Sequence, residues 1–200
     1  MRVSILSREY LNGEMKNMIQ SCKRLQDFTL TESIQWDSSW PELVGDDERH
    51  HLFSYLEDRF GIPENVFDDY LMFKRKKSWM IFKNVPHIRL ASRLKISKMG
   101  IRAFHRVSSF VKPTTKMIQH FGQEATKARL GINEEQLLKL LAGDSIPVDL
   151  DLDDGYVILD LGKRWILGLG LLINGRVRSQ LPRKELRESM VRGLSIDNYY

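Results

Sequence analysis

The chain has a single cysteine, Cys22, among 200 residues, so no internal disulfide can form, which fits a reducing compartment. Its five histidines are scattered. The adjacent pair His50 and His51 would point about 100° apart on a helix, so no zinc ligand set emerges. No apolar run reaches the length of about 18 residues that a membrane-spanning helix needs. The N-terminal stretch MRVSILSREYLNGEMK lacks the apolar core and small-residue cleavage site of a secretory signal. Also missing are a glycine-rich turn between a strand and a helix, a Ser-His-Asp set and a pair of catalytic carboxylates. These absences lead us to expect an intracellular, cytoplasmic protein with no membrane partner, no metal, no cofactor and no catalytic residue of its own.

Charge is abundant but unevenly placed. The chain carries +5 overall. Residues 1–68 sum to −6 and residues 69–200 to +11. A basic stretch of this size suits a polyanion, because lysine and arginine displace condensed counterions from phosphates. An unevenly charged, merely solvated surface would have the same composition.

Taken in order, residues 7–28 have helical spacing with Ser7 as a candidate cap, and residues 33–41 read as a linker whose Trp36 and Trp40 anchor it or stack bases. Asp46–Phe60 is predicted to be a helix: acidic residues open it, Leu52, Phe53, Leu56 and Phe60 form its stripe, Gly61 ends it and Pro63 blocks continuation. Strands follow at 69–73 and 78–83. Between them Lys74, Arg75, Lys76 and Lys77 make a cationic tip with Trp79 beside it, suited to phosphates or to keeping an edge soluble. A short helix is expected at 87–94. Residues 99–107 alternate, with Ile101, Ala103, His105 and Val107 on one face and Arg102, Phe104 and Arg106 on the other. That second face could stack bases and hold phosphates, or Phe104 could lie beneath a helix with its arginines snorkelling around it. His105, on the apolar side, reads as a packed residue. A helix is predicted from Lys112-Pro113, burying Met117, Ile118 and Phe121.

Residues 125–132 read as a strand with Lys127 and Arg129 on one face, and Asn133 with Gln136 as a capping box for a helix closed by Gly143. Residues 146–152 alternate against Asp149, Asp151 and Asp153, an acidic strand face without the glycine and glutamate of a calcium loop. Three more strands are expected. Gly155 opens 156–161, Gly162-Lys163-Arg164 turns the chain, 165–173 runs back, and Asn174-Gly175 forms a tight hairpin into 176–181. Gly168 and Gly170, two apart in an apolar strand, suggest a barrel bend or a close backbone approach. Arg176 and Arg178 share a face with Gln180, Pro182 ends the ladder, and Arg183 and Lys184 begin a basic segment. Residues 188–200 show only a fraying helical pattern.

The order helix, Asp-Gly-Tyr-Val-Ile, Leu-Gly-Leu-Gly, Asn-Gly-Arg-Val, then a proline followed by basic residues, resembles the PUA domain, a compact RNA-binding barrel. It is most similar to the PUA-like domain at the C-terminus of RNA cytosine-5 methyltransferases of the Nol/Nop/Sun type and of their archaeal ribosome-biogenesis relatives. The elements upstream look like those of two-domain ribosome-biogenesis factors. The resemblance implies an α+β chain: a helical extension and linker (1–44), a mixed α+β, pre-PUA-like domain (45–122), a small PUA-like β-barrel (123–187) and a tail (188–200). It implies an RNA-binding protein of ribosome biogenesis or RNA modification, with rRNA or tRNA as ligand and a pre-ribosomal particle or RNA-modifying enzyme as a further partner. In PUA domains the first helix, the strand after it and the final strand form the RNA groove, which places Arg176, Arg178 and Arg183 near phosphates. The Rossmann-type catalytic domain of the methyltransferases has no counterpart here, and Cys22 lacks their Pro-Cys motif. The alternative is a subunit or divergent relative of such a methyltransferase acting with a separate catalytic partner.

Overall fold

The computed structural model describes Trp36, residues 40–92, Leu94, 100–162 and 165–182. The N-terminal helical pattern, Cys22, Arg183, Lys184 and the tail lie outside the described residues. Those described fall into two compact units: Trp36 with 87–92 and Leu94, and the remainder. In the smaller unit a four-residue helix, Ile88–Ala91, occupies the predicted 87–94 stretch, and Arg89 lies 5.8 Å from the ring of Trp36.

The larger unit is built on α1, Asp46–Phe60. Asp46, Asp47 and Glu48 sit in its first turn, where negative charge complements the helix dipole. Gly61 closes it in the left-handed conformation (φ 65°), and a Cβ there would clash with Thr126. Its buried stripe is the predicted one, Leu52, Phe53, Leu56 and Phe60.

Two five-stranded sheets pack around that stripe, so the protein is of mixed α+β class. The first is an antiparallel meander of β1 (Glu42–Leu43), β2 (Tyr70–Arg75), β3 (Ser78–Lys83), β4 (Ile101–Val107) and β5 (Phe110–Pro113), neighbours in sequence being neighbours in space. The second comprises β6 (Arg129–Ile132), β7 (Ser145–Pro147), β8 (Gly155–Leu161), β9 (Trp165–Ile173) and β10 (Arg176–Ser179), ordered β6-β8-β9-β10-β7; one of the two sheets curls into a half-barrel. The β6–β8 pair is parallel, and the helix Glu134–Ala142 lies in the crossover between them. That helix, α4, carries the predicted capping box: Asn133 Oδ1 accepts from Gln136 N at 2.8 Å and Gln136 Oε1 from Asn133 N at 3.0 Å.

Helix Thr115–Phe121, labelled α3 (α2 being Ile88–Ala91), lies against both sheets. Thr114 N donates to Ala103 O on β4, and Gln119 Nε2 to Leu167 O on β9. Arg59, at the end of α1, donates to the carbonyls of Tyr156 and Asp153 at 2.7 and 3.0 Å. The buried side chains form one core, from Phe53, Phe67 and Phe104 through Met117 and Ile118 to Val157, Leu159 and Val177. A turn of 310 helix, Gly122–Glu124, follows α3.

Several local expectations are corrected. The stretch after Val107 makes a hairpin into β5, so Pro113 ends a strand rather than opening a helix. The helix is instead capped by Thr114, whose Oγ1 accepts from Met117 N. The predicted strand at 125–132 begins only at Arg129. The amides of Thr126 and Lys127 both donate to Phe60 O, and Ala128 is left-handed (φ 47°), so Lys127 lies off the strand. The predicted strand at 146–152 stops at Pro147, because its partner β10 begins at Arg176 and offers no further ladder beyond the turn. Asp149, Asp151 and Asp153 therefore lie on a connection, not on a strand face.

Candidate nucleic-acid interface

The β2–β3 connection is a two-residue turn, Lys76-Lys77, with Lys76 left-handed (φ 55°). Lys74 and Arg75 thus belong to β2, and the pleat sends them to opposite faces. Lys74 and Trp79 are cross-strand partners on the face covered by α1. Lys74 Nζ donates to Glu48 Oε1 at 2.7 Å and lies 5.5 Å from the Trp79 ring. Trp79 is fully buried and donates its indole N–H to the same carboxylate at 3.2 Å, so it packs and does not stack bases.

The clean alternation read on β4 fails at a bulge. Trp79 pairs with Phe104 while Met80 pairs with Arg102, leaving Ala103 as the extra residue. Ala103 and Phe104 are both fully buried, and Phe104 packs 6.2 Å from Phe53 of α1. Of the two readings left open for Phe104, the packed one holds. Arg106 stands on the same side, 5.5 Å over the Trp79 ring, while Arg102 is exposed.

The opposite face carries a different row. Register aligns Arg75, Ser78, His105 and Lys112 side by side across β2, β3, β4 and β5. His105 Nδ1 lies 3.1 Å from Ser78 Oγ, so the residue is half-buried and hydrogen-bonded in this polar row rather than packed on an apolar side. Lys112 Nζ reaches to 6.0 Å from the Tyr156 ring. One step further along β4 and β5, Val107 and Phe110 pair directly and both protrude, Phe110 being 74% exposed. The two hairpin ends are locked together: Arg106 N donates to Lys77 O at 2.8 Å. One end of this sheet thus carries exposed Arg75, Lys76, Lys77 and Arg106, with Arg106 on the α1 face and the exposed Phe110 ring on the other. Phe110 was missed from sequence. The signal for it is an aromatic three residues past Val107, with a Ser108-Ser109 turn between.

The remaining predicted residues are dispersed. Arg129 is committed to Asp160, itself buried, with Nε and Nη2 each 3.2 Å from Oδ2. Lys127 lines an open cavity of about 480 Å3 together with Asp58, Arg59, Asp151 and Asp153, a mixed-sign setting rather than a cationic one. Arg176 is exposed, but its guanidinium holds Ser145 Oγ and O at 2.9 Å, bracing β10 against β7. Arg178 is exposed on the same strand face, opposite buried Val177. Among the described residues no group of His, Cys, Asp and Glu could hold a metal ion, and no helix is long and apolar enough to cross a membrane.

The fold and this surface define a class: a two-sheet α+β protein with a cationic, aromatic hairpin end. No protein-family model matches the chain, and no curated protein matches it.

Proposed function

We propose that the protein binds RNA, as an rRNA- or tRNA-binding factor of ribosome biogenesis or RNA modification, and that its second sheet is a PUA-like barrel. The observation that carries this reading is the gathering of Arg75, Lys76, Lys77 and Arg106 at one end of the first sheet. Clustered cations on a rigid edge suit a phosphate backbone, because every phosphate neutralised releases counterions. The PUA-like reading is supported by the helix crossover from β6, the β8-β9-β10 meander and the Asn-Gly turn. Arg178 is its best-placed phosphate ligand, since Arg176 is already engaged with Ser145.

The test is RNA affinity measured over a salt series, with a transfer RNA and an rRNA fragment as probes. Changing Lys76 and Lys77 together to glutamine is expected to weaken both probes alike. The slope of log K against log salt should become shallower by about 0.7 per lost contact on single strands, or about 0.9 on duplex. Thermal melting should be unchanged within about 0.5 kcal/mol, as these are exposed turn residues. An unaltered slope would remove the hairpin end from the site, and Arg178→Gln would then report on the second sheet alone.

A further inference from the structure

We infer that Phe110 is a base-stacking platform, making the hairpin end of the first sheet a site for an unpaired nucleotide of RNA. This rests on the RNA-binding reading above and names the form of RNA the site takes. Three observations converge. Phe110 is the most exposed large apolar residue among those described, at 74%, and its direct partner Val107 is 47% exposed. Neither ring nor methyls are needed by the core, since Trp79 and Phe104 already fill this end of the sheet from the other face. The row next to the pair, on the same face, holds Arg75 and Lys112, and Lys76 and Lys77 lie at the adjoining turn.

An aromatic ring with cations on the same sheet face suits an unstacked base: the ring takes the base and the cations take the flanking phosphates. A duplex offers no free base face, so Phe110 contributes little there. An anionic membrane would also be attracted to these charges. The apex of the hairpin, however, is Ser108-Ser109, so hydroxyls rather than apolar groups would lead into lipid. Ser108 is itself left-handed (φ 53°), which fixes a tight turn and holds the Val107–Phe110 pair in place behind it.

The experiment uses the full chain and two probes, an oligoadenylate of about ten nucleotides carrying 2-aminopurine and a blunt RNA duplex of similar length. With wild type and Phe110→Trp, binding of the single strand should quench the 2-aminopurine. Phe110→Ala should lose the quench and weaken single-strand binding by roughly 5- to 150-fold, the range for one lost stacking contact. Its duplex binding and its salt slope should not move. Phe110→Leu keeps apolar area without a π face and should behave like the alanine variant.

Equal losses on strand and duplex, or a leucine variant as good as tryptophan, would overturn the stacking role. Loss of binding to phosphatidylserine vesicles in Phe110→Ala, with RNA affinity intact, would overturn it in favour of a membrane contact. If Lys76→Gln with Lys77→Gln weakens RNA binding while Phe110→Ala does not, only this inference fails. If wild type binds neither these probes nor the transfer RNA and rRNA fragment, both it and the RNA-binding reading fail.

Discussion

The first sheet buries Phe53, Phe67, Trp79 and Phe104 under and around α1, whereas the second sheet leaves glycine at 168 and 170 where its neighbours come closest. In the first, Phe53 stacks on Phe67 with centroids 4.2 Å apart, and Phe67 meets Phe121 edge-on at 5.0 Å. In the second, a Cβ on Gly170 would stand 2.7 Å from Val177 Cγ1, and one on Gly168 would stand 2.8 Å from Thr115 Cγ2. Gly168 also has φ 146°, beside a bulge in β9 where Leu167 is the extra residue opposite Leu159 and Asp160. One sheet is shaped by volume added and the other by volume withheld. The difference teaches where each can tolerate function. The aromatic filling of the first lies on its α1 face and, at the far end, in a Phe73, Phe82 and Trp40 cluster on the other, which leaves its hairpin end free to carry charge and an exposed ring. The close packing of the second leaves it little room to change.

That contrast can be broken by exchanging volume. The largest effect is expected from Phe53→Ala, which opens a cavity in the aromatic stack and should cost about 3–5 kcal/mol. Denaturant melting measures it, with the midpoint falling while the slope stays constant. Gly170→Val should cost about 1–3 kcal/mol by the opposite route, overpacking against Val177. Adding Val177→Ala to it should recover part of the loss, because the two sites share one contact. If the double variant is no more stable than Gly170→Val alone, the close approach is not what fixes glycine at that position.

The smallest effect sharpens the comparison at the seam. Tyr55 of α1 and Tyr156 of β8 both have phenol pKa values raised above the ordinary 10.0, in each case chiefly through burial. At Tyr55 the charge of Arg59 works against that rise. A raised folded pKa means stability that is full below the unfolded value and declines as pH climbs through the folded one. Wild type should therefore lose stability on titration above pH ~10. Tyr55→Phe should flatten that decline without removing it, since Tyr156 still titrates. Melting temperatures across the alkaline range decide the point, and parallel curves for the two proteins would show that Tyr55 is not buried as the structure has it.

Where the chain uses local signals, the sequence was readable. Asp46–Phe60 follows from its acidic first turn, its stripe and Gly61. The Asn133–Gln136 capping box is a matter of three residues' spacing, and Asn174-Gly175 fixes its turn because both residues adopt positive φ. The α+β class follows from these elements taken in order. The candidate site was legible only in part. Lys76 and Lys77 were correctly placed at a turn, but Lys74 is held by Glu48, and Arg129 by Asp160. Those partners lie 26 and 31 residues away, beyond anything periodicity can report.

What the sequence by itself determined was the set of local shapes: caps, tight turns, apolar stripes and a basic region after an acidic one. What only the tertiary structure decided was which cations share a surface. The bulge at Ala103 turned Phe104 inward, the unexpected β5 put Phe110 outside, and the bond from Arg106 N to Lys77 O joined two hairpin ends. The physical reason is that a strand's pleat assigns its side chains to alternate faces, but only pairing with other strands fixes register and the places where alternation breaks.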